Sequence, residues 1–335
     1  MNLQQTYYRW GITISVLLLL LCGAVLLSLS SGEIPIRLSE LFAVLQNKSS
    51  LEYSVLTNIR LPRILLAFAV GGTLSMTGAI LQGIYRNPLV EPYTLGISGG
   101  AALGVSLCIV FHLHEFGGSF MLPLSGFVGA LICIFLVYFL SMAKGIFSIN
   151  KMLLMGVMIS FIASSSMMFL MSISNSDDVH SIIFWIMGSL DESNSGLIDL
   201  MVYSSIGGLM IAYLFSHQLN ALRLGEQSAR HLGINTGFTI KVLFVMLSLL
   251  TGLCISIAGI IGFVGLIIPH VVKRISGSDY RILLPASFMG GSIFLMLSDV
   301  VARTIISPNE LPIGVITGMV GGVLFLVVLK QTKSQ

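Results

Sequence analysis

Charge is what this sequence has least of. Asp, Glu, Lys and Arg make up 9% of its 335 residues, against about 25% in a soluble domain. Hydrophobic residues reach 55%, and the mean hydropathy is +0.97. No single water-soluble core could hide that much apolar surface, so the solvent of this chain is lipid. Alternation is missing too. The apolar runs are continuous, which excludes a membrane β-barrel, whose strands alternate over about ten residues. Cysteine is scarce: Cys22, Cys108, Cys133 and Cys254 each stand alone in an apolar run, without ligand spacing, and read as packing residues.

Chemistry is also sparse. No Gly-Lys dipeptide occurs, so the phosphate-binding loop G-x-x-x-x-G-K-[ST] is absent and the chain does not hydrolyse ATP by that route. No charge lies deep in an apolar run, where ion- and proton-coupled transporters usually carry a relay. That weighs against a secondary transporter driven by an ion gradient, which stays the alternative because Na⁺ sites built from carbonyls and hydroxyls would leave no such trace. An integral-membrane enzyme is disfavoured by the lack of any His/Asp/Glu cluster within a span. His112 and His114 fall in a short outer turn and read as solvated. His270 beside Pro269 reads as a helix-end residue. No metal site, cofactor, catalytic residue or nucleic-acid partner is expected.

What the chain does have is a series of lipid-length runs. About 20 apolar residues cross a bilayer core of about 30 Å. Nine charge-free runs of suitable length occur, at 11–30, 64–83, 95–111, 116–143, 152–175, 200–216, 242–269, 282–298 and 311–329. The first could pass for a signal peptide but lacks a convincing cleavage site, and reads as a retained helix. The 35 glycines suit close helix packing. Gly96, Gly100 and Gly104 form one stripe and Gly314, Gly318 and Gly322 another, each a packing face or a dimer or pore-lining face.

Basic connections mark the inner side. Alternation from an inner N-terminus holds through six runs and then fails, because 217–241 and 273–281 are both basic with one run between them. Two crossings must lie between Lys241 and Lys273. The interval is too short for two full spans, but Gly259, Gly262 and Gly265 punctuate it. A full helix to about residue 260 and a short or broken helix near 262–272 are therefore expected. Irregular backbone at that depth must line a cavity or be buried in protein. The fold class is thus an all-α polytopic membrane protein of ten transmembrane helices with both termini cytoplasmic, and 1–335 forms one domain. The inner side then holds 12 Lys/Arg against 3 Asp/Glu, and the outer side 5 against 11. The segment 179–190 is too short to span and reads as interfacial, with Trp185 near the headgroups.

Four polar constellations remain. Arg60 and Arg63, three apart on one face, join Arg303 on an otherwise acidic outer side. They read as lipid-phosphate anchors or as a recognition surface. The stretch 82–92, with Pro88 and Pro92, makes a stiff inner loop. Within 217–237, the longest inner loop, Glu226 and Arg230 stand i,i+4 on a short helix bracketed by Gly225 and Gly233. Leu224, Leu232 and Ile234 would be exposed there and suggest a docking surface. The inner turn 148–151 is the fourth.

At these residues the sequence resembles the permeases of type II ABC importers, which carry iron–siderophore complexes, haem or cobalamin. The likeness runs from about residue 11 to 330. It rests on IRLPRILLAFAVGGTLSMTGAILQGIYRNPLVEPYTLGISGGAALG (59–104), LRLGEQSARHLGI (222–234), IAGIIGFVGLIIPHVVKRISGSDYRILLP (257–285) and LSDVVARTIISPNELPIGVITGMVGGVLF (297–325). It implies a homodimer in a bacterial cytoplasmic (inner) membrane, with one pathway on the two-fold axis. Two cytoplasmic ATPase subunits would hydrolyse the ATP, and one extracytoplasmic binding protein would deliver substrate. By the same resemblance Arg60, Arg63 and Arg303 match arginines that meet acids of the binding protein. Leu224, Gly225, Glu226, Ser228, Ala229, Arg230, Leu232, Gly233 and Ile234 match the ATPase-coupling segment. Asn87, Leu89, Ile149 and Asn150 match inner loops that close the pathway.

Overall fold

A computed structural model describes residues 3–32, 34, 36–37, 39–141, 149–306 and 309–332. The regular structure of those residues is all helical, with no strand among them. In chain order the helices are α1 (Leu3–Ser30), α2 (Leu41–Gln46), α3 (Leu51–Val55), α4 (Leu61–Ile84), α5 (Ile97–Val110), α6 (His114–Gly117), α7 (Met121–Ser141) and α8 (Ile149–Ile173). There follow α9 (Ser176–Met187), α10 (Ser195–Leu214), α11 (Ser216–Leu222), α12 (Glu226–His231), α13 (Thr236–Ala258), α14 (Val264–Ser276), α15 (Tyr280–Thr304) and α16 (Ile313–Thr332). Among the described residues seven helices are long and apolar enough to cross a membrane, and Ile97–Val110 and Ile313–Val327 are shorter apolar ones. "Inner" and "outer" below follow the charge bias.

The centre of the bundle is α4. Of its apolar window 89% is buried, against 11% in α1 and 22% in α8, so α4 meets protein on every side while α1 and α8 leave most of their surface for lipid. Burial of α4 depends on missing side chains. At Gly71 and Gly291 a Cβ on either residue would run into the other's carbonyl, so α4 and α15 cross with their backbones in contact. The Gly100 and Gly104 stripe does the same against Gly129 and Ser125 of α7. It is therefore a packing face within the subunit. In the second stripe Gly314 packs against the Met187 and Ile260 carbonyls, whereas Gly318 faces open space.

The expected broken helix is present. Helix α13 stops at Ala258, residues 259–263 are irregular, and α14 resumes for 13 residues, about 20 Å. Gly259 leaves the helix at φ 70°, and Phe263 begins α14 in the left-handed region at φ 69°. The freed backbone groups find partners in the inner loop 85–96. The Tyr93 hydroxyl donates to the Ile261 carbonyl at 2.8 Å and accepts the Ile261 N–H at 3.1 Å. Glu91 accepts the Phe263 N–H. On the other side Ser189 N–H donates to the Ala258 carbonyl at 3.0 Å. The loop meets the break beside α5, which at 14 residues, about 21 Å, is shorter than a full bilayer-spanning helix.

Asn and Asp cap several helices, which the sequence pattern alone does not separate from loop residues. Asn175, Asn194, Asn235 and Asp279 each accept a backbone N–H in the first turn of α9, α10, α13 and α15. The expected interfacial segment is α9, displaced three residues from 179–190.

Candidate functional site

Polar chemistry collects at the two ends of the bundle. At the outer end, α3 and α4 join through a π-helical segment, Leu56–Arg60, of the kind that recurs at functional positions. The extra residue in that turn points Arg60 at the connection after α1. Its guanidinium donates to the carbonyls of Leu29 and Ile34. One turn on, Arg63 grips Glu310 in a two-pronged pair, with Nη1 donating to Oε1 at 2.7 Å. Its Nε lies 3.7 Å from Asp299. Arg303, one helical turn after Asp299, completes the set with Nε 2.9 Å from Asp299 Oδ2 and Nη2 donating to Ser28 Oγ at 3.0 Å.

The structure therefore brings all three outer arginines together and turns them inward. Their relative exposures are 2%, 6% and 7% for Arg60, Arg63 and Arg303. The exposed member of the network is Glu310, whose side chain is 46% accessible. Hydrogen bonds from Arg63 hold the Glu310 carboxyl below the usual carboxylate range, against the opposing pull of partial burial. A cavity of about 280 Å³ opens beside Arg63, Trp185, Gly188, Asp299 and Glu310. Sequence reasoning found the arginines but missed Glu310 as their partner. The two-residue Asn309–Glu310 stretch carries no periodic signal, and the pairing spans 247 positions.

At the inner end, α11 and α12 project between α10 and α13. Gly225 at φ 116° precedes α12, and Gly233 at φ 81° follows it. The i,i+4 pair forms, Arg230 Nη2 to Glu226 Oε1, and Arg230 Nε donates to Thr236 Oγ1 at 3.0 Å. Ala229 is fully buried against the bundle, and Ser228 accepts the Leu232 N–H through its carbonyl at 3.1 Å. Leu224 and Leu232 are 64% and 63% exposed, and Ile234 is half-buried. The short helix is thus pinned by one buried alanine and flanked by two bare leucines.

Asn87 and Leu89 share one turn: Asn87 Oδ1 accepts the Leu89 N–H at 3.0 Å, and Leu89 is 52% exposed. Ile149 and Asn150 open α8. Their side chains, and Ser148 with its neighbours in 142–148, lie outside the described residues, and with them that half of the expected inner gate. In the outer turn, His112, His114 and Glu115 each place one donor atom within 4.8 Å of the others, a grouping that the reading of two solvated histidines did not include.

A bundle with seven apolar, membrane-length helices among the described residues, a broken helix, an outer arginine network and an inner two-leucine helix fits a polytopic membrane protein. Comparison with known proteins makes this specific. Residues 18–331 match the FecCD transport family. The haemin transport system permease HmuU of Yersinia pestis is 35% identical over 322 residues, covering 94% of this chain and 95% of that protein. The vitamin B12 import permease BtuC of Salmonella typhimurium is 36% identical over 329 residues, covering 98% and 97%. A solved structure described as an inward-facing metal-chelate type ABC transporter superimposes with a TM-score of 0.86 at 32% identity, covering 96% of this chain and 99% of that one. PsaBC of Streptococcus pneumoniae, at 18% identity and a TM-score of 0.58, shares the fold. The chain belongs to the FecCD transport family of type II ABC importer permeases.

Proposed function

We propose that this chain is the transmembrane permease subunit of an ATP-driven, binding-protein-dependent importer for an iron chelate (siderophore or haem) or cobalamin. It works as a homodimer of ten-helix subunits in a bacterial inner membrane, with both termini cytoplasmic. Two separate ATPase subunits supply the hydrolysis, and residues 217–237 are the segment that couples to them. The observation that carries this reading is α12, a helix of six residues with two exposed leucines on the basic face. An isolated subunit has no use for bare leucines in the cytosol, whereas a socket on a partner does.

Haem and vitamin B12, named for the relatives, are both bulky metal macrocycles. A pathway on a two-fold axis between subunits suits that bulk. Docking of the binding protein would use the outer network by exchange. Arg63 now holds Glu310, and an incoming carboxylate would take its place in the same planar fork.

The test is replacement of Leu224 and Leu232 by Asp, which places charges where an apolar socket should close. In proteoliposomes with the partner ATPase, substrate uptake should fall at least tenfold while the permease still inserts and dimerises. Normal uptake with normal ATPase assembly in that variant defeats the coupling role.

A further inference from the structure

The three carboxylates of the inner face are all committed elsewhere. Glu91 accepts the Phe263 N–H, Glu226 pairs with Arg230, and Asp279 is held by Arg281 and Asn220. Beside them, at the inner ends of α4 and α14, lies a cavity of about 460 Å³. Arg86, Arg223, His270, Lys273 and Arg274 line it, and no acid does. Arg86, Arg223 and Lys273 face one space and repel each other, and none of the described residues that line it is a carboxylate. The site is built to hold them all the same. Arg86 sits in the left-handed region at φ 50°, where a non-glycine residue is uncommon. Arg223 is fixed by donation from Nη1 to the Ser278 carbonyl.

The level of the cavity indicates what fills it. It lies where α4 and α14 end, and it shares Arg274 with a neighbouring cavity lined by Thr6, Arg9 and Trp10 at the inner end of α1. There Arg9 donates to the Ile275 carbonyl, and Arg281 stacks 5.3 Å over the Trp10 ring. Trp and Arg at helix ends mark the headgroup zone. An arginine fork and a lysine point charge together suit a phosphate, and basic pockets between helices on the cytoplasmic side suit anionic headgroups. We propose that this cavity binds the phosphate group of an anionic phospholipid from the inner leaflet. The site has a mechanical neighbour. A Cβ placed on Gly225 would stand 3.3 Å from Arg86 Nη1, so the lipid's arginine abuts the residue that starts α12.

The experiment uses the intact protein, purified from phosphatidylcholine nanodiscs doped with phosphatidylglycerol, and counts retained lipid by native mass spectrometry. The wild type should keep phosphatidylglycerol, and Arg86→Gln/Lys273→Gln should lose it about tenfold or more, since two headgroup contacts go. Arg86→Lys/Lys273→Arg, which keeps both charges, should retain it, and Lys151→Gln, an inner cation outside the cavity, should change nothing. Equal retention by the Gln variant and the wild type overturns the proposal. A second arm measures thermal stability in detergent. Phosphatidylglycerol should raise the wild-type midpoint more than the variant's. If inorganic phosphate protects as well as the lipid, the source is free phosphate and the lipid assignment fails. If neither protects but the partner ATPase does, and only with the cations intact, the site belongs to that protein.

Discussion

Asp299 is the residue on which the outer network turns. Its side chain is 4% exposed, between Arg303 at 2.9 Å and Arg63 at 3.7 Å. Breaking a buried pair from one side leaves an uncompensated charge, which costs about 3–5 kcal/mol, whereas replacing both members by apolar groups can be nearly neutral. Arg303→Ala should therefore lower the unfolding midpoint in detergent strongly, and Asp299→Leu/Arg303→Met should recover most of the loss. Two equally unstable variants would rule out the charge argument. For the same reason, reversing all three arginines to Glu tests folding rather than docking. The informative change is Glu310→Gln, which frees Arg63 with little change of shape. If docking proceeds by exchange, binding-protein affinity should rise about five- to tenfold, or about 1 kcal/mol. Unchanged affinity at low salt would leave the network a purely internal tie.

Helices α13 and α14 carry the least conventional part of the fold, and the sequence betrayed them by charge rather than by hydropathy. Two basic segments on either side of one run forced an even number of crossings. A single cysteine at Lys241 and another at Lys273, in a background free of the native four, should be labelled from one side only; labelling from opposite sides would remove α14 as a separate crossing. Tyr93→Phe should cost about 1–3 kcal/mol by orphaning both polar groups of Ile261, read as a drop in thermal midpoint without loss of insertion. What the sequence could not give was the partner of the break. Nothing local to Tyr93 announces Ile261, 168 positions away. The short helices α2 and α3 and the π turn were also missed, because short helices outside the apolar runs carry no long-period signal. At the start of α15, burial raises the Asp279 carboxyl, but Arg281, the capped amide and Asn220 outweigh it and bring it down to about 2. A depressed carboxyl stabilises the fold above its ordinary value near 3.9 and loses that contribution as pH falls toward 2. The stability gap between wild type and Asp279→Asn should hold at pH 5 and close between about pH 4 and pH 2.

At the scale of the whole molecule, apolar helix faces and polar ends divide the surface. Helix α16 leaves Met319, Val323 and Leu326 more than 60% exposed on a helix where Gly318 meets nothing within 4 Å. Light scattering of the purified protein should give two chains per particle, and a monomer at working concentration would contradict the proposed assembly. The break at 259–263 also has a consequence for how the chain is made. Its polar groups are satisfied by loop 85–96, which leaves the ribosome some 170 residues ahead of them. At about 5–20 residues per second, that is a delay of about 10–30 s. Throughout it Glu91 and Tyr93 have no break to bind, and lipid offers them nothing. The loop must wait in water or in the insertion machinery, so the depth at which it finally rests is reached only after α14 has been synthesised, and biogenesis of the centre of this bundle is completed from its C-terminal half backwards.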